Sequence, residues 1–182
     1  MNTQVQSALG LPAPLRPAPD MAPIWSDTDL DFDSAGDRFI ERHRADGAVR
    51  DLGIMDLRGW AIAPANDRFT LRPLAGHESP YQLRSTAFSM LCARLGAPAE
   101  FIRDKLPAPL QLATLNYLMT QGEKPATAML RLRGDEVSAI VSERYAALDA
   151  EQLVDTLRTA LVRHGLVDSV RVRAVATGIQ TS

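Results

Sequence analysis

The run from Thr127 to Leu148 (TAMLRLRGDEVSAIVSERYAAL) constrains the fold more than any other stretch, because turn chemistry and side-chain alternation agree there. Gly134 and Asp135 separate two short apolar-rich runs, which is the length and chemistry of a two-residue hairpin turn with glycine first. With that turn, Leu132 faces Val137, Leu130 faces Ala139 and Ala128 faces Val141, while Arg133 faces Glu136 and Arg131 faces Ser138. One face is then apolar and the other begins polar, with Met129 and Ile140 falling on the arginine side. A one-residue slip would set arginines against valines in the core, so burial and turn specify the same register.

The flanks supply the rest of a sheet and its cover. Val49–Leu57 and Trp60–Ala63 read as strands, Asn66 and Asp67 as a turn, and Arg68–Leu71 as the returning strand. Ser79 and Pro80 open a helix whose apolar positions are Leu83, Ala87, Phe88, Leu91, Cys92 and Leu95, with Gly96 as its stop. Pro98 starts a short helix ending before Pro107, and Pro109 starts a third with Leu110, Ala113, Tyr117 and Leu118 on its stripe. After the hairpin, Asp149 with Gln152 makes a capping box for a helix through His164, its buried stripe being Leu153, Val154, Leu157, Ala160 and Leu161. Val170, Val172 and Ala174 alternate with Arg171 and Arg173 in a last strand. The expected fold is α+β, an antiparallel sheet built from hairpins and covered on one face by helices.

Domain organisation follows from a shift in composition. Residues 1–23 are rich in Pro, Ala and polar residues without helical or strand period, and residues 24–39 alternate acidic with apolar side chains. Residues 1–40 therefore read as a Pro-rich then acidic mobile leader, and residues 41–182 as a single α+β domain. The leader holds Arg16 and Arg38 against Asp20, Asp27, Asp29, Asp31, Asp33 and Asp37, so the remainder carries 18 of the 20 basic and 16 of the 22 acidic residues. An acidic leader precedes a mildly basic body. Ala35–Arg44 has the pattern of a short helix. No apolar run approaches the roughly 20 residues of a membrane span, and prolines at 12, 14, 17 and 19 interrupt the candidate signal segment, which together read as a cytoplasmic protein.

Motifs for catalysis are sparse. The chain has no Gly-rich phosphate loop, zinc-ligand spacing, nucleophile motif or dinucleotide fingerprint, so neither an enzyme nor a cofactor is expected. The aspartates of the leader lack the central glycine and distal glutamate of a calcium loop, and no metal is expected there. Cys92, the single cysteine, sits among apolar residues as a core thiol, and His43 and His77 have no ligand spacing around them. Arginines carry the sharper pattern. Arg131 with Arg133, and Arg171 with Arg173, project in pairs from one face of their strands. If both strands share a sheet, four guanidiniums line its uncovered side, with Lys124 near one end and Arg144 and Tyr145 near the other. Such a surface could follow a phosphate backbone, with Tyr145 or Trp60 stacking a base. An ordinary solvated sheet face accounts for the same arginines.

Three stretches, AFSMLCARLGAPAEFI (87–102), PAPLQLATLNYLM (107–119) and LRLRGDEVSAIVSERYAALDAEQLVDTL (130–157), together resemble the phage- and plasmid-encoded proteins grouped as domain of unknown function 932. The most specific part is Val141-Ser142-Glu143-Arg144-Tyr145 followed by Leu148-Asp149, where the family usually has Asp in place of Glu143. The resemblance covers about residues 50–176 and fades over the leader. It implies a mobile-element setting rather than a reaction, and it implies that the chain is a short variant or a piece lacking a C-terminal continuation.

Two functional expectations result. The first is a non-enzymatic nucleic-acid-binding accessory protein, directed at single strands or backbone through Arg131, Arg133, Arg144, Tyr145, Arg171, Arg173 and Lys124. The alternative is a protein-interaction factor or inhibitor of a host defence system, acting through the acidic leader and exposed Trp25, Leu30 and Phe32. The partner is then a host or phage protein, or a second copy in a homo-oligomer.

Overall fold

The computed structural model describes residues 13–19, 29–75, 79–121, 127–145 and 149–172. In chain order the elements are β1 (Leu30–Asp31), α1 (Phe32–Ala45), β2 (Val49–Asp56), a single 3-10 turn (Leu57–Gly59), β3 (Trp60–Ala65), β4 (Arg68–Pro73), β5 (Tyr81–Leu83), α2 (Ser85–Leu95), α3 (Ala99–Lys105), α4 (Ala108–Gln121), β6 (Thr127–Arg133), β7 (Glu136–Val141), α5 (Ala150–Arg163), a second 3-10 turn (Val167–Ser169) and β8 (Arg171–Val172). The fold is α+β. The chain forms two compact units, Met1–Asp20 with Val49–Glu143, and Met21–Ala48 with Arg144–Ser182. That division does not follow the leader-and-domain boundary drawn at residue 40.

The first unit holds a six-stranded sheet in the order β2-β6-β7-β5-β4-β3. All its pairings are antiparallel except that of β5 with β7. The β3–β4 connection is a two-residue hairpin, with Ala65 opposite Arg68 and positive φ at both Asn66 (48°) and Asp67 (59°), as the expected turn requires. β2, which precedes that hairpin in the chain, lies at the far edge of the sheet and pairs with β6. Tyr81–Leu83, expected inside a helix, is a strand: Leu83 lies opposite Val137 and Tyr81 opposite Leu71, and both are buried. The helix begins only at Ser85, because pairing on both sides satisfies more backbone groups than one extra helical turn would.

The central hairpin turns at Gly134, with φ 56°, and pairs Arg133 with Glu136 and Leu132 with Val137 as expected. Beyond that point the register shifts by one. Arg131 lies opposite Ala139 and Leu130 opposite Ile140, so Ser138 is the extra residue of a bulge, and its hydroxyl donates to the Arg131 carbonyl at 3.0 Å. The bulge inverts the alternation of β7. Ile140, expected on the arginine face, is 3% exposed and joins Leu130 and Leu132 in the core.

The core of this unit lies between the sheet and its helices, where Phe69 stacks on Phe88 of α2 with ring centroids 4.7 Å apart. Gly96 ends α2 at φ 71°, a left-handed stop that glycine adopts without steric cost. α4 turns a different face inward from the one its leucines suggest. Ala108, Gln111, Leu115 and Met119 are buried, whereas Leu110 and Tyr117 are 53% and 65% exposed. Two amides explain the rotation. Asn116 clamps the outer edge of β3, accepting from Ile62 N at 2.8 Å and donating to Ile62 O at 2.9 Å, and Gln111 is fully buried among main-chain groups.

In the second unit β1 pairs antiparallel with β8, and α1 packs on α5. Asp31 caps α1, accepting from Ser34 N at 2.8 Å and from the Ser34 hydroxyl at 2.7 Å. These bonds, led by the backbone one, hold the Asp31 carboxyl below its ordinary range. α1 thus starts three residues earlier than its apolar pattern suggests. Of the stripe expected to be buried on α5, Val154 is buried and fits against Gly36 of α1, while Leu157 is 45% exposed.

Candidate functional site

The guanidinium face expected from the sequence does not assemble as one sheet. Arg171 lies on β8, opposite Asp31 in the two-stranded sheet, whereas Arg131 and Arg133 lie on β6 of the six-stranded one. The reason is topological: β8 finds its partner in β1, and strand alternation alone cannot say which sheet a strand joins. Arg173, Lys124 and Trp25 lie outside the described residues.

Arg131 is itself only 9% exposed and faces Asp51 directly across the β2–β6 pair, with Nε 3.5 Å from Oδ1. Arg84 makes a tighter pair, its Nε donating to Glu136 Oε2 at 2.7 Å. Arg133 is half-buried opposite Glu136. A guanidinium held by a carboxylate must give up that partner before it can bind a phosphate, so this part of the sheet reads as internal charge compensation. Arg144, Tyr145 and Arg171 are exposed. Arg171 spends one Nη1 on the carbonyls of Asp168 and Val170, both at 3.2 Å.

The apolar anchors proposed for the leader change as well. Phe32 is 8% exposed as the first residue of α1, and Leu30 is half-buried opposite Val172. Once Asp31 caps the helix, Phe32 is turned into the unit's own core and is lost to a partner surface.

Two features have the geometry of binding surfaces, one where the sequence suggests a mobile leader and one where it suggests an inward-facing apolar stripe. Residues 13–19, expected to be mobile, are docked against the first unit. Leu15 is 5% and Ala18 3% exposed, and Gln111 accepts from Leu15 N at 2.7 Å and donates to Leu15 O at 3.4 Å. Gln111 Nε2 also donates to the carbonyls of Ile102 and Arg103 at 2.9 and 3.1 Å. Beside it Arg16 pairs with Asp104, which a two-pronged bond from Arg103 at 3.0 and 2.8 Å also holds. The Arg103 hydrogen bond, reinforced by Arg16, pulls the Asp104 carboxyl down to about 2. The second feature is the outer stripe of α4, where Leu110, Ala113 and Tyr117 are exposed at helical spacing. The signal for Gln111 was present: it is a polar residue inside the leucine-rich run PAPLQLATLNYLM, and an amide on a buried helical face must find main-chain partners.

Among the described residues no helix is long and apolar enough to cross a membrane. Comparison with protein-family models, curated proteins and solved structures returns no match.

Proposed function

We propose that the chain is a binding module without a catalytic centre, which engages another protein through the outer face of α4. The observation that carries this reading is the alignment of Leu110 and Tyr117, 53% and 65% exposed and two helical turns apart, on a helix whose opposite face is core. Single exposed apolar residues are normal, but a stripe on a rigid helix is the form in which proteins present anchors to a groove. Burying each such side chain contributes about 1.5–3 kcal/mol, enough for the pair to dominate a modest interface. Support for a role other than catalysis is that Cys92 is fully buried and that Asp51, Glu136 and Asp104 each face an arginine. The resemblance of residues 50–176 to phage- and plasmid-encoded proteins supports a cytoplasmic partner from the host or the mobile element.

The test is chemical crosslinking and capture from the producing cells, comparing the native chain with a Leu110→Ser, Tyr117→Ser variant of unchanged melting temperature. A partner retained by the native chain and lost by the variant is expected; identical capture by both refutes the proposal. Nucleic-acid binding is the second reading, favoured by exposed Arg144 next to exposed Tyr145. Gel shifts of single- and double-stranded DNA at two salt concentrations test it, and an Arg144→Glu, Tyr145→Ser variant should lose affinity if it holds.

A further inference from the structure

We infer that the first unit carries a peptide-recognition groove for an extended Leu-Arg-Pro-Ala segment, filled in cis by Leu15–Ala18 and able to take the same segment from a second copy of this chain. The carrying observation is that every main-chain polar group of these four residues is bonded to the groove. Leu15 N and O meet the Gln111 amide, Arg16 N donates to Asp67 O at 3.0 Å, and Arg16 O accepts from Phe69 N at 3.1 Å. Ala18 N donates to Leu83 O and Ala18 O accepts from Ser85 N, both at 2.8 Å. Pro17 has no N–H to satisfy, and its carbonyl accepts from Arg68 Nη1 at 2.8 Å.

Full main-chain capture combined with selected side chains is how proteins read extended peptides. Here Leu15, Pro17 and Ala18 are buried, and Arg16 reaches the Asp104 carboxylate. The segment is also separated in the chain from the rest of the first unit, since Met21–Ala48 belongs to the second unit before the chain returns at Val49. To the groove it is therefore a tethered ligand. Its contacts do not depend on which copy supplies it, and only the tether's effective concentration favours the cis arrangement.

The experiment uses the full chain with a protease site inserted after Asp20, and a fluorescein-labelled peptide spanning Leu11–Asp20. After cleavage and dilution the protein should take up the peptide saturably in an anisotropy titration, while uncut protein at the same concentration takes up at least tenfold less. Peptides with Leu15→Asp or Arg16→Glu should bind at least tenfold more weakly. A cut protein that keeps its circular dichroism but takes up no peptide overturns the inference, as do substituted peptides that bind equally well. Should cleavage itself unfold the chain, hydrogen exchange in uncut protein decides: amides of Leu15, Arg16 and Ala18 are expected to exchange at least tenfold faster than those of Leu130 and Leu132, and equal protection overturns it.

Discussion

Gln111→Leu separates the hydrogen-bonding role of this side chain from its volume, because leucine fills nearly the same space and offers no polar atom. In the native chain Gln111 is fully buried, accepts from Leu15 N at 2.7 Å and donates to the carbonyls of Ile102 and Arg103 at 2.9 and 3.1 Å. The variant leaves a buried N–H without an acceptor, at a cost of about 1–3 kcal/mol, and removes bonds to carbonyls worth about 0.5–1.5 kcal/mol each. Added leucine hydrophobicity offsets part of this, leaving a net loss of about 2–4 kcal/mol. For a chain of this size that lowers the melting midpoint by about 4–16 °C, read by far-ultraviolet circular dichroism. Gln111→Glu sharpens the test. An ionised carboxylate there still accepts from Leu15 but faces the carbonyls it can no longer donate to, so burial raises its pKa. The sign follows: a carboxyl whose folded pKa lies above its unfolded value destabilises at high pH and recovers as pH falls, so this variant should lose more at pH 8 than at pH 5 relative to native. A Gln111→Leu midpoint within 1 °C of native would refute the reasoning.

Asp104, held at about 2 by Arg103 and Arg16, contributes stability that is complete above its unfolded pKa near 4 and is lost as pH falls towards 2. Asp104→Asn should flatten that acid limb in melts between pH 5 and 2, and an unchanged limb would count against the pair. Burial pushes the Cys92 thiol up to about 12, so the native chain should resist a thiol reagent at pH 8 and release one equivalent in denaturant; rapid native labelling would contradict the core placement. A Cβ at Gly36 would lie 2.8 Å from Val154 Cγ1, a stiff β-branched neighbour. Gly36→Ala should therefore lose about 1 kcal/mol or more despite alanine's helix advantage of about 1 kcal/mol, and become stabilising in a Val154→Ala background. A double-mutant cycle with no coupling would remove that contact from the account.

Local chemistry made much of this fold legible. Gly134 and the Asn66-Asp67 pair demand positive φ and so announce their hairpins, and Gly96 marks the end of α2 for the same reason. Two readings failed where a neighbour outvoted the pattern. Leu83 fits a helical period, but β7 claims it on one side and the Ala18 N–H holds its carbonyl, and Ile140 fits the outer face until Ser138 bulges and inverts the alternation. The candidate site was less legible, because the value of an arginine depends on what faces it. Nothing in the run LRLR says that Arg131 will meet Asp51, eighty residues away in the chain.

The turns, the apolar alternation of β6 and the helices beside the sheet follow from residue chemistry alone, since these depend on backbone preferences and on burial that each residue carries wherever it is placed. Tertiary structure decided which strand joins which sheet, which face of α4 turns inward and which charges neutralise one another. Those outcomes depend on partners distant along the chain, such as Gln111 with Leu15 and Asn116 with Ile62. The energy of a polar or charged group is set by the group opposite it, and only the assembled fold supplies that.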